Sequence, residues 1–185
     1  KDVLPSRLDK SKMAISTLFS KLKGGRIGIV VFAGDAYIQL PLTTDYGAGE
    51  MFLEAVSTDM LPVQGRAMGA AIAKSRECFK NANSQDRNRA IILITDGENH
   101  EDNPVEEAKA AQSEGINVYA LGIGDPKGTP IPVYENNLVT GYKLDQSGST
   151  VVSKLNEQIL KEVASAGGGI YVQGNNTVAA LERIM

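Results

Sequence analysis

The sequence predicts an α/β fold: a doubly wound, mostly parallel sheet with one antiparallel edge strand, helices on both faces and a small inserted β meander. Three observations predict it. Apolar runs rich in β-branched residues at 26–33, 90–94 and 117–123 suit strands buried on both faces. Helical stripes of apolar residues separate those runs, and strand alternating with helix leads to right-handed crossovers and a parallel sheet. From 130 to 155 the pattern changes to short alternating runs broken at Asn136-Asn137 and at Gln146-Ser147-Gly148, the signature of a surface meander, and the insertion is placed at 126–155.

The elements follow in order. Over 5–22, Leu8, Ile15, Leu18, Phe19 and Leu22 form one stripe, with Pro5 or Ser6 as the start and Gly24-Gly25 as the stop. The run at 26–33 turns at Gly34-Asp35 into a short strand over 36–40, which makes a hairpin that Pro41 is expected to end. Thr44 or Asp45 caps a short helix carrying Met51 and Phe52, and a longer helix starts near Arg66 with Met68, Ala71, Ile72, Ser75 and Phe79 on its inner face. After the strand at 90–94, Asn103 caps a helix over 104–114 with Pro104 in its first turn and Gly115 behind it. The strand at 117–123, a helix over 156–166, a strand near 169–172 and a final helix ending at Met185 complete the chain. The first helix has no strand ahead of it to complete a βαβ unit, so a strand is expected to precede Lys1, and 1–185 is read as a single domain lacking its first strand.

Composition narrows the function. With 185 residues, 42% of them apolar, one core of ordinary size is affordable in area. A net charge of -3 gives no basic field for nucleic acid. One cysteine, Cys78, allows neither an intrachain disulfide nor a cysteine cluster, and its place beside Phe79 on a helix suits a packed side chain. No apolar run reaches the roughly 18 to 20 residues that span a bilayer. His100 is the sole histidine and lies in a polar loop, and no Gly-x-Ser-x-Gly elbow is present, so acyl-transfer chemistry is not expected. Gly122-Ile123-Gly124-Asp125 follows a strand, but Lys127 stands where a dinucleotide fingerprint needs its third glycine.

Open parallel sheets bind ligands at the carboxyl ends of their strands. Three loops emerge there, at 33–35, 95–101 and 122–128. The second carries the most chemistry, because Thr95-Asp96-Gly97-Glu98 sets a carboxylate just past a buried strand, with a glycine that lets the backbone turn away. Asp96 is a hard oxygen donor suited to Mg²⁺ or Mn²⁺; the plainer reading is an Asx turn that bonds its own loop.

The run at 91–98, Val31-Phe32-Ala33-Gly34 and Pro62-Val63-Gln64-Gly65 together resemble von Willebrand factor A domains. More narrowly, Pro5-Ser6-Arg7-Leu8-Asp9, the segment from Gln39 to Asp45, and Gly122-Ile123-Gly124 with Pro130-Ile131-Pro132-Val133 resemble the bacterial aerotolerance-associated Bat proteins. The resemblance implies a Rossmann-like fold and a metal-ion-dependent adhesion site, where a divalent cation joins the domain to an acidic residue of a protein partner. Binding and not turnover is the implied task. It further implies transmembrane helices outside this chain, an envelope location with the domain periplasmic, and cooperation with other Bat proteins or a MoxR-type ATPase.

That family site uses an Asp-x-Ser-x-Ser loop after the first strand, a Thr from a second loop and an Asp from a third. Asp96 matches the third. The chain is read as lacking the Asp-x-Ser-x-Ser loop, and Arg66 stands where the Thr usually is. A guanidinium offers only donors, so Arg66 is read either as solvated at a helix start or as a stand-in for the cation that makes the site weak or metal-independent. The binding face is expected around Asp35, Arg66, Asp96 and Glu98. The competing classes are an enzyme or small-molecule receptor using the same crevice, which a closed apolar pocket would favour, and a structural assembly module that needs no ion.

Overall fold

The computed structural model describes residues 6–22, 24–58, 60, 67–81, 88–98, 102–135, 138–145 and 147–174. The elements run α1 (Arg7–Lys21), β1 (Ile27–Phe32), β2 (Ala36–Thr43), α2 (Tyr46–Glu54), α3 (Met68–Asn81), β3 (Arg89–Thr95), α4 (Pro104–Ser113), β4 (Ile116–Gly122), β5 (Thr129–Pro130), β6 (Pro132–Glu135), β7 (Leu138–Tyr142), β8 (Val152–Ser153), α5 (Glu157–Ala166) and β9 (Gly168–Gln173). Arg66, the loop 62–65, His100 and the final helix expected to end at Met185 lie outside the described residues.

Local chemistry sets these boundaries. Ser6 caps α1 by accepting the Asp9 N–H, Asp45 caps α2 through Ala48 N–H, Asn103 caps α4 with Pro104 directly inside it, and Asn156 caps α5. Gly115 ends the α4 segment at φ +74, where a side chain would be strained. One expectation fails: Pro41 does not end β2, which continues to Thr43. Its pairing with β1 is antiparallel and irregular between Ile27 and Ile29, and Pro41 is exposed, so its missing N–H falls at an edge strand's bulge where a ladder bond is dispensable.

The α/β architecture is as predicted. β3, β4 and β9 form a parallel three-stranded sheet in that order, while β1 and β2 form a separate antiparallel pair. Within the insertion, β5 pairs with β8 and β6 with β7, both antiparallel. Side-chain alternation divides the parallel sheet into two faces: Ile91, Leu93, Val118 and Ala120 pack among Met68, Ile72, Ala108, Leu160 and Val163 from α3, α4 and α5. On the other face, Leu121, Val172 and Ile94 meet Ala14 and Leu18 of α1. The same helix turns Ile15, Phe19 and Leu22 toward Ile27, Ile29 and Leu40 of the β1–β2 pair. α1 therefore splints the two sheet pieces, between which no ladder runs among the described residues.

The carboxyl edge is aligned by register. Thr95 pairs with Gly122 at the end of the β3–β4 ladder, and Ile123 N–H continues it by donating to Thr95 O at 2.9 Å. The loops after both strands thus leave the sheet side by side.

Away from that edge, Arg76 on α3 donates to Glu107 and Glu114 at the two ends of α4, with Lys80 also 3.0 Å from Glu114. Hydrogen bonding from Arg76, then from Lys80, lowers the Glu114 carboxyl from 4.5 to about 2. A folded pKa below the unfolded one means that this contribution to stability is complete above pH 4.5 and is lost as pH falls toward 2. Thermal melts of Glu114→Gln should therefore show a shallower fall in Tm than the wild type across that window; parallel curves would contradict the assignment.

Candidate functional site at the carboxyl edge

Asp96 leaves β3 directly behind Thr95, and its loop is held from several sides. Asn156 N–H donates to Asp96 O at 2.8 Å, Gly97 N–H to Thr95 Oγ1 at 3.2 Å, and Glu98 N–H to Asp96 Oδ1 at 3.2 Å. The last bond is the Asx turn that the plainer sequence reading foresaw. Gly97 is required twice over: its φ is +73, and a Cβ there would lie 2.5 Å from Asn156 O and 2.9 Å from Leu160 Cγ.

The other oxygen of Asp96 faces a cation. Arg7, first residue of α1, places Nη1 2.9 Å from Asp96 Oδ2 and 2.6 Å from Ser153 Oγ. Ser153, the last residue of β8 and buried, lies 3.4 Å from Asp96 Oδ2 and 3.2 Å from Glu98 Oε1, so its single hydroxyl proton serves one carboxylate at a time. Glu98 Oε1 also accepts Lys154 N–H at 2.9 Å. Behind the guanidinium runs the loop after β4, where Gly124 (φ +141) leaves space: a Cβ there would sit 3.3 Å from Arg7 Cζ. Within Gly122-Ile123-Gly124, unexplained as a nucleotide fingerprint, Gly124 thus walls an arginine slot, while Gly122 makes room for Tyr171 and Leu155.

These residues border a half-open cleft of about 280 Å³ whose lining includes Arg7, Phe32, Ala33, Asp96, Glu98 and Ile123. It sits at the carboxyl ends of β1 and β3, in the interval between the two sheet pieces. A second stitch holds its rim. Ala67 N–H donates to Ala33 O at 2.8 Å, and Asp102 Oδ2 accepts the Ala70 N–H at 2.8 Å across the first turn of α3, where the helix dipole favours an anion. Gly69 permits that approach, since a Cβ would come within 2.9 Å of the Asp102 carboxylate.

Of the residues expected at the binding face, the structure brings Asp96 and Glu98 together. Asp35 is exposed in the β1–β2 turn, where its Oδ1 accepts Ala36 N–H at 2.7 Å, and it does not line the cleft. Sequence reading missed Arg7, Ser153, Gly124 and Asp102. The available signal was Arg7 itself: a cation directly after a helix cap opposes the helix dipole and calls for a nearby carboxylate.

One sequence statement needs correction. The Asp-x-Ser-x-Ser pattern is present, as Asp145-Gln146-Ser147-Gly148-Ser149. It lies in the insertion and not ahead of α1, and Asp145 Oδ1 accepts Ser147 N–H, Ser147 Oγ–H and Ser149 N–H at 2.7 to 2.9 Å. Those bonds, led by the Ser147 hydroxyl, lower the Asp145 pKa and close a turn. Cys78 is half-buried, and burial raises its thiol pKa, in keeping with a packed side chain.

The model of the von Willebrand factor type A domain matches residues 1–140. The chain belongs to that family. An aerotolerance-related membrane protein from Bacteroides fragilis superposes with a TM-score of 0.92 at 43% identity, over 99% of this chain and 88% of its own. BatB from Bacteroides thetaiotaomicron gives 0.90 at 45% identity, over 99% and 89%. An uncharacterized protein of Borreliella burgdorferi is 28% identical over 92% of the chain, which spans only 48% of that relative. The von Willebrand A fold and the Bat-like character expected from the motifs are both established by these matches.

The family's divalent ion can be tested against the donors of this domain. Among the described residues no three His, Cys, Asp or Glu side chains cluster to hold a metal. Asp96 Oδ2 faces the Arg7 guanidinium and Oδ1 accepts an amide, so the arrangement does not fit an octahedral oxygen shell.

Gly97→Ala should cost about 2 kcal/mol or more, from strain at positive φ plus overlap with the Asn156 backbone. Gly141→Ala, with nothing within 4 Å of its added Cβ, serves as the control. Urea melts check this; equal stability of the two variants would contradict the packing described.

Proposed function

We propose that this domain is a non-enzymatic docking module of a Bat-like envelope protein, which engages an acidic side chain of a protein partner at the carboxyl-edge crest. The observation that carries this reading is the Arg7–Asp96–Ser153 cluster at the mouth of a half-open cleft. A cleft of this size and polarity takes one side chain of a docked protein. It is half-open and lacks the enclosure of a small-molecule pocket. Glu98 lines it, and Asp35 and Arg66 are proposed with it as further partner contacts. Because the described donors suit a guanidinium and not an ion, docking by these residues is metal-independent or nearly so. Mg²⁺ or Mn²⁺ enters only where further donors join Asp96.

The split between β1 and β3 belongs to the same reading. Each strand presents an unpaired edge to the interval among the described residues, and α1 begins at the carboxyl end of β3, beside Asp96. A parallel strand inserted there would pair both edges and lead straight into α1, which is how we account for the lone leading helix. The partners in view are companion Bat proteins and a MoxR-type ATPase, with membrane attachment through segments outside this chain.

Surface plasmon resonance against purified companion Bat proteins and a purified MoxR-type ATPase tests the proposal. Asp96→Ala should weaken capture by about tenfold or more, because Arg7, the group that meets the partner's acid, loses the carboxylate that positions it, while Lys109→Ala on the exposed face of α4 should leave it unchanged. Capture should persist in chelator. Equal binding by wild type and Asp96→Ala would overturn the reading in favour of a structural assembly module.

A further inference from the structure

The oxygens that hold Arg7 are themselves hard donors. Asp96 Oδ2 and Ser153 Oγ receive Nη1, Ser153 O lies 3.5 Å from Nη2, and Glu98 Oε1 is 3.2 Å from the same serine hydroxyl. Carboxylate, hydroxyl and carbonyl oxygen are what a small divalent cation selects, and here they surround a guanidinium. The guanidinium is not there by default. α1 is capped at Ser6, so Arg7 stands at the first helical position, against the dipole, and it reaches Ser153 across 146 residues of sequence. The wall behind it is built from a glycine, Gly124, whose replacement would crowd the guanidinium plane. Arg7 and Gly124, more than 110 residues apart in the sequence, meet at this one group.

We infer that Arg7 is the resident cation of the crest: its guanidinium occupies the oxygen cluster of Asp96, Ser153 and Glu98 and excludes divalent ions from it. The inference deepens the docking reading above and rests on it for its purpose. A permanently charged side chain keeps the carboxylates ordered and offsets one of their two charges at any ion concentration, and a metal gains the oxygens only by expelling Arg7. Expulsion requires breaking two short contacts and overcoming the repulsion between the guanidinium and an approaching dication.

Binding of Mn²⁺ alone to the full chain, followed by electron paramagnetic resonance of the free ion, tests this, with far-UV circular dichroism to verify folding. Arg7→Gln should bind Mn²⁺ about tenfold or more tighter than the wild type, the effect of removing one positive charge a few ångströms from a dication. Arg7→Lys, which keeps the charge, should stay within about threefold of the wild type, and Arg7→Gln with Asp96→Asn should lose the gain. Arg7→Met, which removes the charge and keeps every oxygen donor, should tighten Mn²⁺ binding to the same extent where Arg7→Gln does not fold. No gain in any folded variant, whether because all bind Mn²⁺ equally or because none binds it, overturns the inference. Such a failure leaves partner capture by the wild type and its loss in Asp96→Ala untouched. A failure of the docking reading appears in that capture alone.

Discussion

Arg7 and Asp96 come from elements 89 residues apart, and their 2.9 Å contact organises the carboxyl edge. A cation at the first turn of a helix is unfavourable unless an anion meets it, and a carboxylate beyond a buried strand is unfavourable unless donors meet it. Each supplies the other's need. Ser153 then ties the pair to the insertion and Gly124 walls it in. A partly buried pair of this kind adds little net stability after desolvation, on the order of 1 kcal/mol, so its consequence is geometric: it fixes where charge stands on the crest.

The rest of the fold presents that pair. The parallel ladder from Arg89↔Ile116 to Thr95↔Gly122 delivers two loops at one height, and helices α3, α4 and α5 bury its inner face. On the opposite face α1 is at once the splint between two sheet pieces and the carrier of Arg7. Its apolar stripe thereby couples the integrity of the core to the chemistry of the edge. The comparisons place this arrangement in the von Willebrand A family, with Bat-like proteins at 43% and 45% identity superposing over 99% of the chain.

Much of the fold was legible because local physics dictates it. Asn103-Pro104 and Gly115 bracket α4 as cap, first turn and stop, and the β-branched runs place β1, β3 and β4 to within a residue or two. Pro41 misled, since a missing N–H matters only where a partner strand needs it, and pairing irregularity at an edge is a tertiary fact. At the site, Asp96 and Gly97 were readable from one strand-loop junction. Arg7 and Ser153 were not, because what defines them is a meeting across 146 residues; the place of Arg7 behind the Ser6 cap signals that it needs an anion but not which one. Asp145 shows the converse: its pattern matches a metal loop by spacing, yet its oxygen is spent on its own turn.

Hydrogen–deuterium exchange of the domain, free and bound to its partner, measures the central claim most directly, because it reports which backbone segments the partner covers. The account predicts added protection at 33–36, 94–98 and 123–128, the three loops of the carboxyl edge, with the outer faces of α4 and α5 unchanged. Protection confined to the β6–β7 hairpin or to those helices, with the crest exchanging as in the free domain, would contradict it.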